Sequence, residues 1–232
     1  MRLPPELRLI IWYGAIRWES YALPHAYSCS RRYLESNIDI REYVKYGDDY
    51  EYPMFLHSLY SLSKETAEEI VAVVIENSTF MVASFADNTF LQAFLGAVPG
   101  RLQLCRQLNF DYFGRFPGFD KNADLELAVM CSGLHTIELT FHYDTLTWNK
   151  LVGGDYYDEI FERCPRPVEE LFDAFRLKRL LDCDMLQTVI IEHVGGEVDA
   201  AVRAAQGLGD LLIKGFGKKV PKQVVEVQYT FS

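Results

Sequence analysis

The sequence predicts an α/β fold in which a small N-terminal helical portion packs on an irregular helix–strand array. Three observations lead to this prediction. An amphipathic helical pattern opens the chain at residues 4–17, helix and strand patterns alternate from residue 79 to the C-terminal end, and three of the strand segments superpose on one another. A single α/β sheet domain is the alternative, because it has the same alternation of helices and strands.

The opening helix is predicted from residues 2–12, RLPPELRLIIW. Its apolar residues recur with a helical period, and they are Leu3, Leu7, Ile10, Ile11 and Ala15. Pro4 and Pro5 suit the start of a helix, where the missing N–H of proline costs nothing, and the helix dipole favours Glu6 in the first turn. We therefore expect a short amphipathic helix with an apolar face that is ready to dock.

The segment after this helix, residues 18–54, lacks a clean periodicity and contains seven of the fourteen tyrosines. Gly47-Asp48-Asp49 marks a turn within it, and residues 33–46 fit either a strand or a short helix. The tyrosine rings are either packed inside the fold or exposed as a partner surface. The residues of this possible surface are Tyr43, Tyr46, Tyr50 and Tyr52.

The next segment predicts a helix, a strand and a second helix. The helix covers residues 59–76, with Ser61 or Ser63 as its N-cap and a buried stripe formed by Leu59, Leu62, Thr66, Ile70, Val73 and Val74. Alternating β-branched and aromatic residues at 79–83 predict the strand. Asp87 is the predicted N-cap of a helix at 88–97, and Pro99-Gly100 is predicted to end that helix.

Three later segments share one strand pattern. They read LCRQLNFDY at 104–112, LHTIELTFH at 134–142 and LQTVIIEH at 186–193. The superposed apolar positions are Leu108, Ile137 and Val189, then Phe110, Leu139 and Ile191, with Cys105, Leu134 and Leu186 before them. Each segment fits the L-x-x-L-x-L core of a leucine-rich repeat, and helical stretches at 123–131 and 167–182 precede the second and third.

The spacing of these segments is irregular: 29 residues from Leu108 to Ile137, then 52 from Ile137 to Val189, with an insertion at 144–166. We therefore predict a leucine-rich-repeat-like region, with a plain parallel sheet as the alternative. A helical stretch at 197–213, interrupted by Gly207 and Gly209, a basic loop at 214–222 and a strand at 224–231 complete the chain. The predicted division is a helical region at 1–76, with a Tyr-rich insertion at 18–54, and an α/β region at 77–232.

The first helix also carries a family resemblance. LPPELRLIIW resembles the opening of fungal F-box-like proteins, whose first helix commonly reads L-P-x-E-L-R followed by apolar residues and an aromatic. LYSLSKETAEEI, NSTFMV, FLQAFLGAVP and RQLNF, within residues 59–110, resemble later parts of that family more weakly. There are two departures. Residues 18–58 separate the two helices, whereas an F-box is compact, and Ala67 stands where a second Glu-x-Arg motif would place its arginine.

The resemblance implies a substrate receptor that binds a ubiquitin-ligase adaptor through its first helix. The residues that it assigns to adaptor contact are Leu3, Pro4, Leu7, Ile10, Ile11 and Trp12. A scaffold or complex subunit of a fungal cell, unrelated to ubiquitin ligation, is the alternative, and in that case the stripe of the first helix would be buried.

The net charge and the cysteines indicate which partners and which cellular compartment the chain suits. The formal net charge of −10 disfavours binding to nucleic acids and to anionic lipids. The five cysteines are odd in number and have no C-x-x-C spacing, which favours a reducing compartment, the cytoplasm or the nucleus. No signal peptide and no apolar run of ~18 residues occurs, so we predict no membrane span. The chain begins inside its own helix pattern, which is typical of a sequence that has lost residues upstream of Met1. The oligomeric state is not predicted.

The search for catalytic or ligand-binding motifs predicts none. The histidines His25, His57, His135, His142 and His193 have no metal-ligand spacing, and we expect His193 to be a core or rim residue. Gly207-Leu208-Gly209 and Gly217-Lys218 lack the other positions of a nucleotide-binding motif, and no nucleophile motif is present. We therefore predict no metal, no cofactor and no enzymatic activity; an enzyme with an unrecognised site is the third hypothesis after the two interaction functions.

Two further segments are candidate contact sites. Lys214, Lys218, Lys219 and Lys222 form the one dense positive cluster of the sequence, which is either a solvated loop or a contact for an acidic partner or a phosphate. The stretch DYYDEIFE at 155–162 predicts either an exposed helix that binds a partner or rings that pack back on the sheet; its anchors are Tyr156, Tyr157, Ile160 and Phe161. Glu6, Glu65, Glu68 and Glu69 are expected to be surface charges.

Overall fold

The computed structural model describes residues 3–16, 18–22, 28–32, 37–39, 63–111, 113, 123–154, 160–195, 199–219 and 224–231. The helices are α1 (Pro5–Ile16), α2 (Lys64–Asn77), α3 (Phe85–Gly96), α4 (Arg101–Leu104), α5 (Ala123–Met130), α6 (Tyr143–Leu146), α7 (Val168–Ala174) and α8 (Asp199–Phe216), with a 3₁₀ helix at Leu177–Asp182. The strands are β1 (Trp18–Ala22), β2 (Ser28–Arg32), β3 (Asn37–Asp39), β4 (Thr79–Val82), β5 (Gln107–Phe110), β6 (Thr136–His142), β7 (Thr147–Gly153), β8 (Ile160–Pro165), β9 (Thr188–Val194) and β10 (Glu226–Phe231).

Six parallel strands form one sheet in the order β3-β4-β5-β6-β9-β10, which is also their order along the chain. Each crossover therefore steps in the same direction across the sheet. Because crossovers between parallel strands are right-handed in nearly all proteins, a one-way series places the crossover helices on one face. Two antiparallel pairs, β1-β2 and β7-β8, lie outside this sheet. The protein is thus a mixed α/β fold built on a parallel sheet.

The register of the sheet matches the superposition that the sequence predicts. Leu108 pairs with Ile137, and Ile137 pairs with Val189. In β9 the buried residues alternate strictly with half-buried ones, so a single face of the sheet enters the core. This alternation agrees with helices on one face, because a parallel sheet covered on both faces has nearly continuous apolar strands.

The core includes residues from both sides of the predicted boundary at residue 76. Ile16 of α1, Ile38 of β3 and Ile70 of α2 belong to the same cluster of buried side chains as Leu108 and Ile137 of the sheet. The division of the chain into two regions stays a prediction. Among the described residues, no helix combines the length and the apolar character that crossing a lipid bilayer requires.

The start of α3 differs from the prediction. Ser84, not Asp87, is the N-cap: its hydroxyl accepts a hydrogen bond from the Asp87 N–H at 3.1 Å. Asp87 lies three residues further on, buried, and its carboxylate accepts a hydrogen bond from the Ala83 N–H at 3.0 Å. The two side chains satisfy donors at the helix start reciprocally, in the manner of a capping box. At α2 the cap is Ser63, one of the two predicted N-caps, so the helix begins at Lys64 and not at residue 59. Leu59 and Leu62 of the predicted buried stripe lie outside the described residues, and Thr66 is half-buried.

The last helix also differs from the prediction, because Gly207 and Gly209 do not interrupt it. Both lie inside α8, which continues to Phe216 and so takes in the first residues of the predicted loop. The glycines allow close packing: a Cβ at Gly207 would lie 2.6 Å from a methyl of Val168, and one at Gly209 would lie 2.1 Å from the Tyr229 hydroxyl. Their small size serves contacts with α7 and β10.

The insertion at 144–166 contains α6 and the β7-β8 hairpin. Residues 160–162 of the DYYDEIFE stretch belong to β8, so the predicted exposed helix is wrong there, while Tyr156 and Tyr157 lie outside the described residues.

The helical stretch predicted at 167–182 is divided into α7 and the 3₁₀ helix by Arg176, whose φ is 46°. Tyr43, Tyr46, Tyr50 and Tyr52 also lie outside the described residues.

Candidate interaction surfaces

One side of α1 is fixed to α2 by a single carboxylate. Arg8 donates hydrogen bonds from Nε and Nη2 to Oε1 of Glu69, at 2.9 and 2.7 Å, and the Trp12 indole N–H donates to Oε2 at 2.7 Å. Arg8, Trp12 and Ile16 are spaced four residues apart and therefore share a side of the helix. Ile16 is fully buried at the end of this side, so it anchors the helix to the core.

The opposite side of α1 faces solvent. Leu3 is 50% exposed, Leu7 48%, Ile10 66% and Ile11 50%. Pro4 is also exposed, whereas Trp12 is half-buried because its ring lies toward α2. We call Leu3, Pro4, Leu7, Ile10 and Ile11 the α1 face. Five of the six residues predicted for adaptor contact thus form one exposed apolar surface, and the sixth lies at its edge.

Arg8 and Glu69, the charged pair that holds α1, each stabilise the ionised form of the other. Hydrogen bonding from Arg8, and then from Trp12, lowers the pKa of Glu69, and the same contact raises the pKa of Arg8. Glu69 is expected from the sequence to be a surface charge, yet it orients the helix. The sequence holds no signal for this role, because 61 positions separate Glu69 from Arg8 and 57 separate it from Trp12.

A second apolar surface lies on the β7-β8 hairpin. Its large side chains are exposed, and they are Trp148, Leu151, Val152, Ile160 and Phe161, which we call the hairpin surface. Leu151 pairs with Phe161 across the two strands, so these two side chains share a face of the hairpin, whereas Trp148, three residues before Leu151, lies on the other face. Ile160 and Phe161 are exposed, so the expectation that they pack back on the sheet is wrong. Trp148, Leu151 and Val152 were not predicted as surface residues, because their exposure depends on where the hairpin lies.

Polar side chains pair between neighbouring strands on the face of the sheet opposite the core. Asn109 donates to Glu138 at 2.8 Å and Thr140 donates to Glu192 at 2.9 Å, each pair joining neighbouring strands. Burial, and then the charges of Glu192 and Asp111, raise the pKa of Glu138. This face thus carries two polar pairs, in which Asn109 and Thr140 are buried, beside the apolar Ile190.

The histidines form no metal site in the described residues, where no group of three or more metal-ligating side chains is found. His193 is buried and pairs in register with Phe141, as the strand superposition predicts, and burial lowers its pKa. His142 lies 3.1 Å from the carboxylate of Asp144. Cys105, Cys131, Cys164 and Cys183, whose side chains the structure describes, form no disulfide with one another.

The predicted lysine cluster is partly in a helix. Lys214 lies in the last turn of α8, and Lys218 and Lys219 follow in the turn after it, while Lys222 lies outside the described residues. Together with Lys178 of the 3₁₀ helix, the first three line a groove beside α7. No local pattern in the sequence predicts that Lys178 belongs to this cluster, because Lys178 is remote from the other lysines in the chain.

Comparisons with known proteins return no match to a protein-family model, to a curated protein or to a solved structure.

Proposed function

We propose that this protein is a protein–protein interaction module, and in its most specific form an F-box-like substrate receptor. The observation that supports the proposal is the α1 face. A helix whose far side is fixed by Arg8, Trp12 and Ile16 leaves Leu7, Ile10 and Ile11 exposed to solvent. Contiguous apolar surface of this kind marks interaction sites in folded proteins.

In this proposal the α1 face binds a ubiquitin-ligase adaptor in the cytoplasm or the nucleus. Covering the exposed half of one leucine or isoleucine side chain contributes on the order of 1 kcal/mol, so four such side chains supply a substantial part of a binding free energy. The helix is ready to bind, because its contacts with Glu69 fix its orientation before a partner arrives.

The α/β region would then present a target-binding surface. Its leucine-rich-repeat-like character is part of the proposal, and the strand register supports it: Leu108, Ile137 and Val189 align, and Cys105, Leu134 and Leu186 are buried before them. We assign no catalytic step, metal or cofactor to this region.

A scaffold subunit that never meets a ubiquitin ligase is the second candidate function. The hairpin surface favours it, because Leu151 and Phe161 are exposed and pair on one face of the hairpin, where they suit a partner contact. One premise of that alternative does not hold, however: the stripe of the first helix is exposed and not buried.

The deciding experiment is affinity purification of the tagged chain, read by mass spectrometry, with the double variant Ile10→Gln and Ile11→Gln. Glutamine keeps the helix propensity and removes the apolar contact. We expect the ubiquitin-ligase adaptor among the captured proteins and at least roughly tenfold less of it with the double variant.

The matched control is Ile213→Gln, which changes an exposed isoleucine on α8. This variant should capture the adaptor as the wild type does. If the captured proteins depend on Ile10 and Ile11 but include no adaptor, the scaffold function replaces the receptor function. If no captured protein depends on these two residues, the α1 face is not an interaction site.

A further inference from the structure

A groove of about 520 Å³ lies between α7, the 3₁₀ helix and the C-terminal end of α8. Its floor is apolar and consists of Phe172, Leu181 and Leu211, each half-buried. Gly215 brings α8 close to this floor, because a Cβ at that position would lie 3.0 Å from both methyls of Leu181. The volume falls within the range of natural ligand sites, roughly 300–1,000 Å³, and exceeds what a single phosphate fills.

The rim of the groove is basic. Lys178, Lys214, Lys218 and Lys219 line it, against two acidic residues, Glu169 and Asp173. Lys219 is paired with Asp184 at 3.0 Å, whereas the other three lysines form no ion pair with any described residue. A local excess of positive charge thus surrounds apolar surface in a chain whose net charge is −10.

The position of Lys178 distinguishes this groove from the lysine-rich C-terminal end of an ordinary helix. Lysines in the last turn of a helix are favoured by the helix dipole, which accounts for Lys214 without any ligand. Lys178 comes from the 3₁₀ helix on another wall of the groove, where the dipole of α8 gives no such reason. Positive charge therefore converges on the apolar floor from two separate elements.

We propose that this groove binds an acidic peptide segment of a partner protein, with one large apolar side chain of that segment on the floor. The apolar floor takes an aromatic or aliphatic side chain, and the lysines on the two walls pair with carboxylates on either side of it. The same charge arrangement repels basic segments, so it also selects against them.

This inference shares with the proposed function only the premise that the chain binds proteins. The groove is built by α7, the 3₁₀ helix and α8, whereas the α1 face is oriented by α2. Adaptor binding and peptide binding are therefore separable, and either one can fail without the other.

Fluorescence anisotropy with labelled peptides tests the proposal on the full chain. The probe is the hexapeptide DEFDEL; KKFKKL reverses its charge, and DEADEA removes its large side chains. We expect DEFDEL to bind, with an affinity that falls as salt rises, and the other two peptides to bind at least about tenfold more weakly.

Charge-reversing variants locate the binding site. The double variant Lys214→Glu and Lys218→Glu should weaken DEFDEL binding about tenfold or more, because two favourable contacts become repulsive. Lys178→Glu is the second test, since it leaves α8 and its dipole unchanged and should also weaken binding. The matched control is Arg203→Glu, an exposed cation on α8 roughly 16 Å along the helix from Lys214, which should bind DEFDEL normally.

Four results would overturn the proposal: no binding of DEFDEL, equal binding of DEADEA, full competition by inorganic phosphate at equimolar concentration, or unchanged binding by Lys178→Glu and by the double variant. Self-association of the wild type that Lys178→Glu abolishes would identify a second copy as the occupant and would also overturn it. The Ile10→Gln and Ile11→Gln variant should still bind DEFDEL, so a failure of adaptor binding is told apart from a failure of this inference.

Discussion

The carboxylate of Glu69 orients α1, because it accepts hydrogen bonds from both Arg8 and Trp12. Its pKa lies below the ordinary value of 4.5, so the folded state favours the ionised form. A lowered pKa means that the contact is fully present above 4.5 and is lost as the pH falls through the folded-state value.

We expect Glu69→Gln to loosen α1 without unfolding the sheet, because the amide cannot replace a charged acceptor for the Arg8 guanidinium. The amides of α1 should exchange with deuterium faster than in the wild type. In the wild type the indole N–H resonance of Trp12 should shift below pH 4.5, and in Glu69→Gln this acid-dependent shift should be absent. Glu170→Gln, an exposed carboxylate on α7, is the control. Unchanged α1 exchange in Glu69→Gln would show that the carboxylate does not fix the helix.

Single residues also show where prediction from sequence stops. The apolar stripe of α1 can be predicted from the spacing of its residues. The inward direction of His193 can be predicted from its alignment with Phe141. Which side of α1 meets solvent is not readable, because it depends on a contact with Glu69 that joins distant parts of the chain. The same holds for Lys178, whose place beside Lys214 follows from packing between the 3₁₀ helix and α8.

Among the elements, α8 depends on two glycines that helix propensity alone would disfavour. Gly209 lies against Tyr229 of β10, whose hydroxyl also donates to the Gln206 carbonyl at 3.3 Å. The strands β4, β5, β6, β9 and β10 were predictable because their alternation is a local pattern, whereas β1, β2, β7 and β8 were not predicted. The continuity of α8 was not predictable, because the residues that require its glycines, Val168 and Tyr229, lie on α7 and β10.

We expect Gly209→Ala to destabilise the protein by about 1–3 kcal/mol, although alanine is the better helix former, because its Cβ would overlap the Tyr229 hydroxyl. Urea denaturation followed by circular dichroism measures the loss. Adding Tyr229→Phe to Gly209→Ala should recover part of it. The control is Gly96→Ala in α3, where a Cβ meets open space and stability should hold or rise slightly. Equal effects of the two alanine substitutions would contradict the packing argument.

Across the described fold, the one-way order of the sheet separates a helix-covered face from a second face that carries Glu138 and Glu192. This order explains the strict alternation in β9, whereas in β6 Thr140 is buried together with Leu139 and Phe141. The sequence predicted the helix–strand alternation and the shared strand pattern, since both are local. It could not predict the hairpin surface, because the exposure of residues such as Trp148 and Leu151 is set by the position of β7 and β8 relative to α8.

The central claim is that the α1 face contacts a partner protein while the other side of the helix holds it to α2. Photo-crosslinking tests this claim most directly, with a benzoylphenylalanine introduced at Ile10 and, as the control, at Ile213. Both positions are exposed isoleucines on helices. The claim predicts a cross-linked partner protein from position 10 and none from position 213; no adduct from position 10, or the same adduct from both positions, would contradict it.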